Sequence, residues 1–103
     1  MSAAGLRLLG LGVRAGTVVV GTSGVRAALQ RGDVVLVVMA DDRSPRTDEK
    51  VGRLARARGI PVLVGPGAAA LGKQIGRAAV QAVGVRDAQL AAGIRLERRQ
   101  PEG

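Results

Sequence analysis

Cysteine, histidine, phenylalanine, tyrosine and tryptophan are all absent from the 103 residues of this chain. Without Cys or His there are no disulfides, zinc fingers, thiol nucleophiles or histidine general bases, and nearly all transition-metal sites are excluded. Without aromatics, the stacking platforms of single-strand binders and of the four-stranded RNA-recognition sheet are missing. Acid is scarce as well: 8 Asp and Glu stand against 16 Lys and Arg, a net charge of +8. The longest near-apolar runs, residues 8–13 and 34–40, fall far short of the roughly 20 residues a membrane span needs. The start Met1-Ser-Ala-Ala-Gly-Leu-Arg lacks the basic, apolar and cleavage-site order of a signal peptide. The cytoplasm is therefore the expected compartment, with no membrane partner.

What remains points to one folded, basic domain. An apolar fraction of 47% argues against intrinsic disorder, which requires low hydrophobicity along with high charge. The length suits one domain and is short for two. A chain of this size buries about two-thirds of its unfolded surface, enough for a core without staples. The excess positive charge favours polyanionic partners, RNA or DNA before others. Only Lys50 and Lys73 are lysines, and Arg binds phosphate as a planar fork. The Arg preference by itself is what a GC-rich genome produces; the excess over acids is not.

Helical and strand-like segments alternate along the chain. Leu6, Leu9 and Val13 recur at helical spacing, and Gly16 is placed to end that helix. Residues 17–20 are short, β-branched and bounded by Gly21, a strand. Thr22 or Ser23 is positioned to cap a second helix with Val25, Ala28 and Leu29 inward. The unbroken apolar run 34–40 predicts a central strand covered on both faces. Residues 41–47 read as an exposed loop. Residues 48–58 follow as an amphipathic helix, with Val51, Leu54 and Ala55 inward and Arg53 and Arg56 outward. Residues 60–64 form a third strand whose Pro61 fits only at its start or on an edge. A short helix over 68–75, a fourth strand over 80–85 and a last helix capped by Asp87 complete the pattern. The expected domain is 5–96, followed by a disordered tail at 97–103. Such alternation with short connections predicts a single α/β layer sandwich.

Three signals invite a functional reading. Gly10-Leu-Gly-Val-Arg-Ala-Gly16 imitates a dinucleotide-binding loop, but it lies inside and at the end of a helix instead of following a strand. Helix packing and a C-cap explain it better. Asp41, Asp42, Asp48 and Glu49 follow the central strand, where ligands gather in open sheets. No His or Cys assists them and Arg43 and Arg46 lie beside them, so a solvated loop is the stronger reading and no cofactor or metal is expected. The third signal is the helix start after Gly21. Its free backbone N–H groups, with Arg26 and Arg31 nearby, suit a phosphate or a base edge.

The order Leu8-Leu-Gly-Leu, Arg14-Ala-Gly, Gly21-Thr, Ala28-Leu-Gln-Arg-Gly, Val34-Val-Leu-Val-Val-Met-Ala-Asp-Asp, Ile60-Pro-Val, Leu71-Gly and Ile75-Gly resembles the ribosomal large-subunit proteins of the "seven-Ae / thirty-e" type. It is most similar to their small bacterial, YlxQ-like members. The resemblance covers about residues 6–94. It implies a three-layer α-β-α sandwich around a mixed four-stranded sheet. It also implies a non-catalytic protein that binds structured RNA, notably kink-turns, with ribosomal RNA and ribonucleoprotein components as candidate partners. Kink-turn binders carry Lys-Gly-Thr/Ala-Asn-Glu, and a further Lys, at the start of the second helix. Here Gly21 and Thr22 are kept, but Val20, Ser23, Gly24 and Ala27 replace the base-reading side chains. The family's other contact loop corresponds to residues 76–79, where Arg77 can reach a phosphate. The expected RNA contacts are thus Gly21, Thr22, Ser23, Gly24, Arg26 and Arg77, acting on phosphates and shape more than on bases. The alternative from another class is a protein-interaction module that keeps the fold and has lost specific kink-turn recognition.

Overall fold

In the computed structural model, which describes residues 1–99, the Ser2 hydroxyl accepts from Gly5 N at 3.0 Å and starts the first helix, α1 (Ala3–Ala15). Gly16 closes α1 in the left-handed region, as its place after the last apolar turn predicted. Strand β1 (Val18–Val20) and helix α2 (Thr22–Gln30) follow, then β2 (Leu36–Met39). A continuous helical segment comes next: a turn α3 (Pro45–Thr47), a π-helical stretch (Asp48–Gly52) and α4 (Arg53–Ala57). The chain ends with β3 (Val62–Val64), α5 (Ala68–Gln74), β4 (Ala82–Val85) and α6 (Ala88–Arg99).

The strands form one sheet in the order β1-β4-β2-β3. β4 is antiparallel to both β1 and β2, while β2 and β3 are parallel. β2 is therefore interior, and all four of its residues are fully buried, as a continuous apolar run requires. Pro61 precedes β3 on the sheet edge and offers only its carbonyl, which accepts from Val37 N at 3.0 Å.

Side chains alternate across the pleat and divide the core in two. Leu36, Val38, Val83 and Val85 pack with Leu9, Leu71, Ala91 and Ile94 of α1, α5 and α6. Val37, Met39 and Ala82 pack with Val25, Ala28, Leu29, Val51 and Ala55 of α2, the π stretch and α4. The result is the expected three-layer α-β-α sandwich around a mixed four-stranded sheet. α1 and α6 meet closely because Gly12 has no side chain; a Cβ there would lie 2.5 Å from both Leu90 and Val18. Gly12 thus serves packing and Gly16 serves as the cap.

Three local expectations change. Helical structure begins at Pro45, not at Asp48, because the Ser44 hydroxyl accepts from Thr47 N at 3.2 Å and Pro45 occupies the first turn. Thr47, assigned to an exposed loop, is instead only 4% exposed. The tail expected from Glu97 is helical as far as Arg99. Glu and Arg are good helix formers, so the helix runs on through these residues. Residues 100–103, the rest of that expected tail, lie outside the described residues. Asp87 caps α6 as its position predicted, with Oδ1 accepting from Gln89 N at 2.8 Å and Leu90 N at 3.0 Å.

Candidate nucleic-acid interface

Because β1, β2 and β3 run one way and β4 the other, four connections meet at one end of the sheet. They are residues 21–22, 40–45, 65–68 and 75–81. Backbone bonds lace them together: Gly21 N to Ala82 O at 2.9 Å, Ala40 N to Gln81 O at 2.9 Å, Asp41 N to Pro66 O at 3.2 Å and Val80 N to Ala68 O at 2.9 Å. The helix start at Gly21 and the turn bearing Arg77, 56 positions apart in sequence, therefore flank the same sheet end. Arg26 lies on the α2 side and Arg77 on the α5 side.

Gly21 adopts φ 96° and ψ 151°, backbone that is essentially reserved for glycine. This sharp entry starts α2 without a capping side chain, contrary to the cap expected from Thr22 or Ser23. The first ladder bond runs from Val25 N to Gly21 O at 2.9 Å, so the N–H groups of Thr22, Ser23 and Gly24 precede the ladder. No acidic residue occupies the first turn. An uncapped helix start of this kind attracts anionic groups.

The Thr22 side chain is spent elsewhere, in a polar node that the sequence did not disclose. Gln81 Oε1 accepts from Ser44 N at 2.9 Å and from the Thr47 hydroxyl at 2.8 Å. That bond uses the only proton of Thr47, so the Ser44 and Thr22 hydroxyls, each 3.3 Å from Thr47 Oγ1, must donate to it. The node fixes the start of α2 to the β2–α3 connection and to the beginning of β4. Thr47→Val removes its centre and leaves three polar groups short of a partner. Thermal melting is expected to show a loss of about 1–3 kcal/mol; a change of a few tenths would mean that the node is replaced by water without cost.

The remaining candidate residues divide by direction. Ser23 and Arg77 are exposed. A Cβ on Gly24 would lie 3.0 Å from Val19 Cγ1, so this position serves the close approach of α2 to β1. Arg26, also exposed, donates from Nη1 to Lys50 O at 3.3 Å. Two of the acids are engaged in structure: Asp42 Oδ1 accepts from Ala68 N at 2.8 Å, and Asp48 Oδ1 pairs with Arg43 at 3.1 Å and Arg56 at 3.9 Å, while Asp41 and Glu49 are exposed. Asp42 thus ties two loops together where the sequence suggested only a solvated carboxylate. Among the described residues no group of three or more His, Cys, Asp or Glu is placed to hold a metal ion. No helix among them is long and apolar enough to cross a membrane.

Comparison with known proteins places this geometry in context. A model of the ribosomal protein L7Ae/L30e/S12e/Gadd45 family matches residues 3–93. The chain is similar in structure to a protein of unknown function from Bacillus halodurans C, at 33% identity and a TM-score of 0.85, with 92% of this chain and 96% of that one covered. It also has the fold of a Giardia lamblia 15.5kD RNA binding protein, at 18% identity and a TM-score of 0.74, with 89% of this chain and 78% of that one covered. No functionally curated protein matches the chain.

Proposed function

The chain belongs to the ribosomal protein L7Ae/L30e/S12e/Gadd45 family, and from that premise we propose that it is a non-catalytic binder of structured RNA. The observation that carries this reading is the uncapped start of α2 beside the open sheet end, free of acid in its first turn, in a chain of net charge +8. Thr22, Ser23 and Gly24 offer backbone N–H groups and Gly21 allows close approach, while Arg26 and Arg77 supply charge from the two sides. Ribosomal RNA and ribonucleoprotein particles of a bacterial cytoplasm are the proposed setting, in keeping with the YlxQ-like resemblance.

Contacts of this type neutralise phosphates, so affinity should fall linearly with log salt, by roughly 0.7–0.9 slope units per phosphate for single strands and B-form DNA. Arg77→Ala is expected to weaken binding to many RNAs alike and to flatten the slope by about one unit. Gly24 and Ala27 present no side chain that can read a base. A kink-turn and the same RNA with its G·A pairs disrupted should therefore bind within a few-fold of one another. Shift assays across salt concentrations test both statements, and a strong preference for the intact kink-turn would assign base reading to other residues.

The second reading, a protein-interaction module, is favoured by Leu11 on the outside of α1. It is 54% exposed beside a cavity of about 420 Å³ that Arg7, Arg14 and Gln74 also line. Failure of the parent protein to bind any structured RNA at low salt would leave this reading standing.

A further inference from the structure

We infer that the outward face of residues 45–58 is a second phosphate-contacting surface, which carries RNA from the sheet end along the side of the domain. The inference rests on the RNA-binding reading and extends its footprint. The segment turns Thr47, Val51 and Ala55 inward, all buried. Arg46 and Arg53 are exposed and Lys50 is half-buried, and at helical spacing these three share the outward face with one exposed acid, Glu49.

The local charge is also sorted. Five basic residues, Arg46, Lys50, Arg53, Arg56 and Arg58, share this segment with Asp48 and Glu49. Asp48 is held by Arg43 and Arg56. Among the described residues Arg46, Lys50, Arg53 and Arg58 form no ion pair with any carboxylate. Their charge is left for an outside anion.

Continuity with the α2 site comes from Arg26, whose Nη1 donates to Lys50 O. This bond lays the guanidinium across the gap between α2 and the π-helical stretch, between the helix start and the basic face. A rise of 1.5 Å per residue sets Arg46 and Arg53 about 10 Å apart along the segment, room for more than one phosphate. The chemistry favours nucleic acid over a protein surface. The large exposed hydrophobic residues, Leu11, Val35, Val64 and Leu96, all lie outside α2 and 45–58, whereas protein interfaces centre on buried apolar anchors.

The test uses the full chain and ribosomal RNA stripped of protein, titrated over a range of salt. The triple variant Arg46→Gln, Lys50→Gln and Arg53→Gln is compared with the parent, with Arg77→Ala and with Arg46→Lys plus Arg53→Lys. The triple variant should melt like the parent, lose at least tenfold in affinity and flatten the salt slope by about two units. The lysine variant should keep the parental slope. A triple variant with parental affinity and slope, while Arg77→Ala still weakens binding, would overturn the inference and leave the sheet-end site intact. A parent that binds no RNA would remove that site and this extension together.

Discussion

Val37→Asp is expected to leave the chain without a cooperative folded state at 25 °C. Val37 is fully buried in the middle of β2, opposite Val62 on one side and Gly84 on the other. Its side chain faces the core formed with α2, the π stretch and α4, where its neighbours are aliphatic. A carboxyl group there meets no donor. Burying an unpartnered polar group costs about 2–7 kcal/mol, and the lost valine burial adds about 1.5–3 kcal/mol. Domains of this size are stable by only about 5–15 kcal/mol. Circular dichroism on heating and the spread of amide proton shifts report the outcome. Val37→Ala separates the causes: it removes methyl groups without adding polarity and should remain folded with a lower midpoint. A Val37→Asp protein that melts like the parent would mean that β2 is not an interior strand.

The same burial explains why the fold was legible. The run 34–40 has no polar position, and only a strand covered on both faces suits it. The period of Val25, Ala28 and Leu29 and of Val51 and Ala55 identified two inward faces, and both pack on one side of the sheet. The start of the third helical segment was misplaced for a local reason. Ser44-Pro45 is itself a helix-start signal, a capping hydroxyl followed by proline in the first turn. It lies within a run of polar residues that reads as loop. The π-helical stretch left no signature in the residue pattern.

At the candidate interface, the residue pattern placed Gly21 between β1 and the start of α2, while Arg77 was reached only through the family resemblance. The polar node was hidden because its bonds join residues 25 to 37 positions apart. Thr22 does not cap α2 because the chain enters the helix one residue earlier, with Gly21 in the capping position and Thr22 already in the first turn. The helix start is left open as a consequence. The basic face of 45–58 was visible only in part, since outward Arg53 and Arg56 were predicted but the path from Arg26 to Lys50 depends on two helices meeting in space.

Gly72→Ala is expected to destabilise the domain by about 1–3 kcal/mol and to weaken RNA binding more than Arg77→Ala does. Helix propensity alone predicts the opposite sign, since alanine is favoured over glycine inside a helix by about 1 kcal/mol. The decisive fact is what a Cβ at this position would meet: Arg77 O at 2.8 Å and the Ala79 Cα and N at 2.9 Å. These are backbone atoms, and no rotamer change relieves the overlap. The turn is also pinned by Arg77 N donating to Gly72 O at 2.8 Å and by Val80 N donating to Ala68 O at 2.9 Å. Relief must therefore come from lifting the whole turn away from α5. That moves Arg77 and pulls on Gln81, which bonds to Ala40 through its backbone and to Ser44 and Thr47 through its side chain. Arg77→Ala removes one charge from an intact frame, whereas Gly72→Ala shifts the frame that also positions Thr22. Melting curves and salt titrations of the two variants side by side distinguish these effects. A Gly72→Ala protein with a raised melting temperature and parental RNA affinity would show that the turn yields freely, and that Arg77 needs no fixed seat.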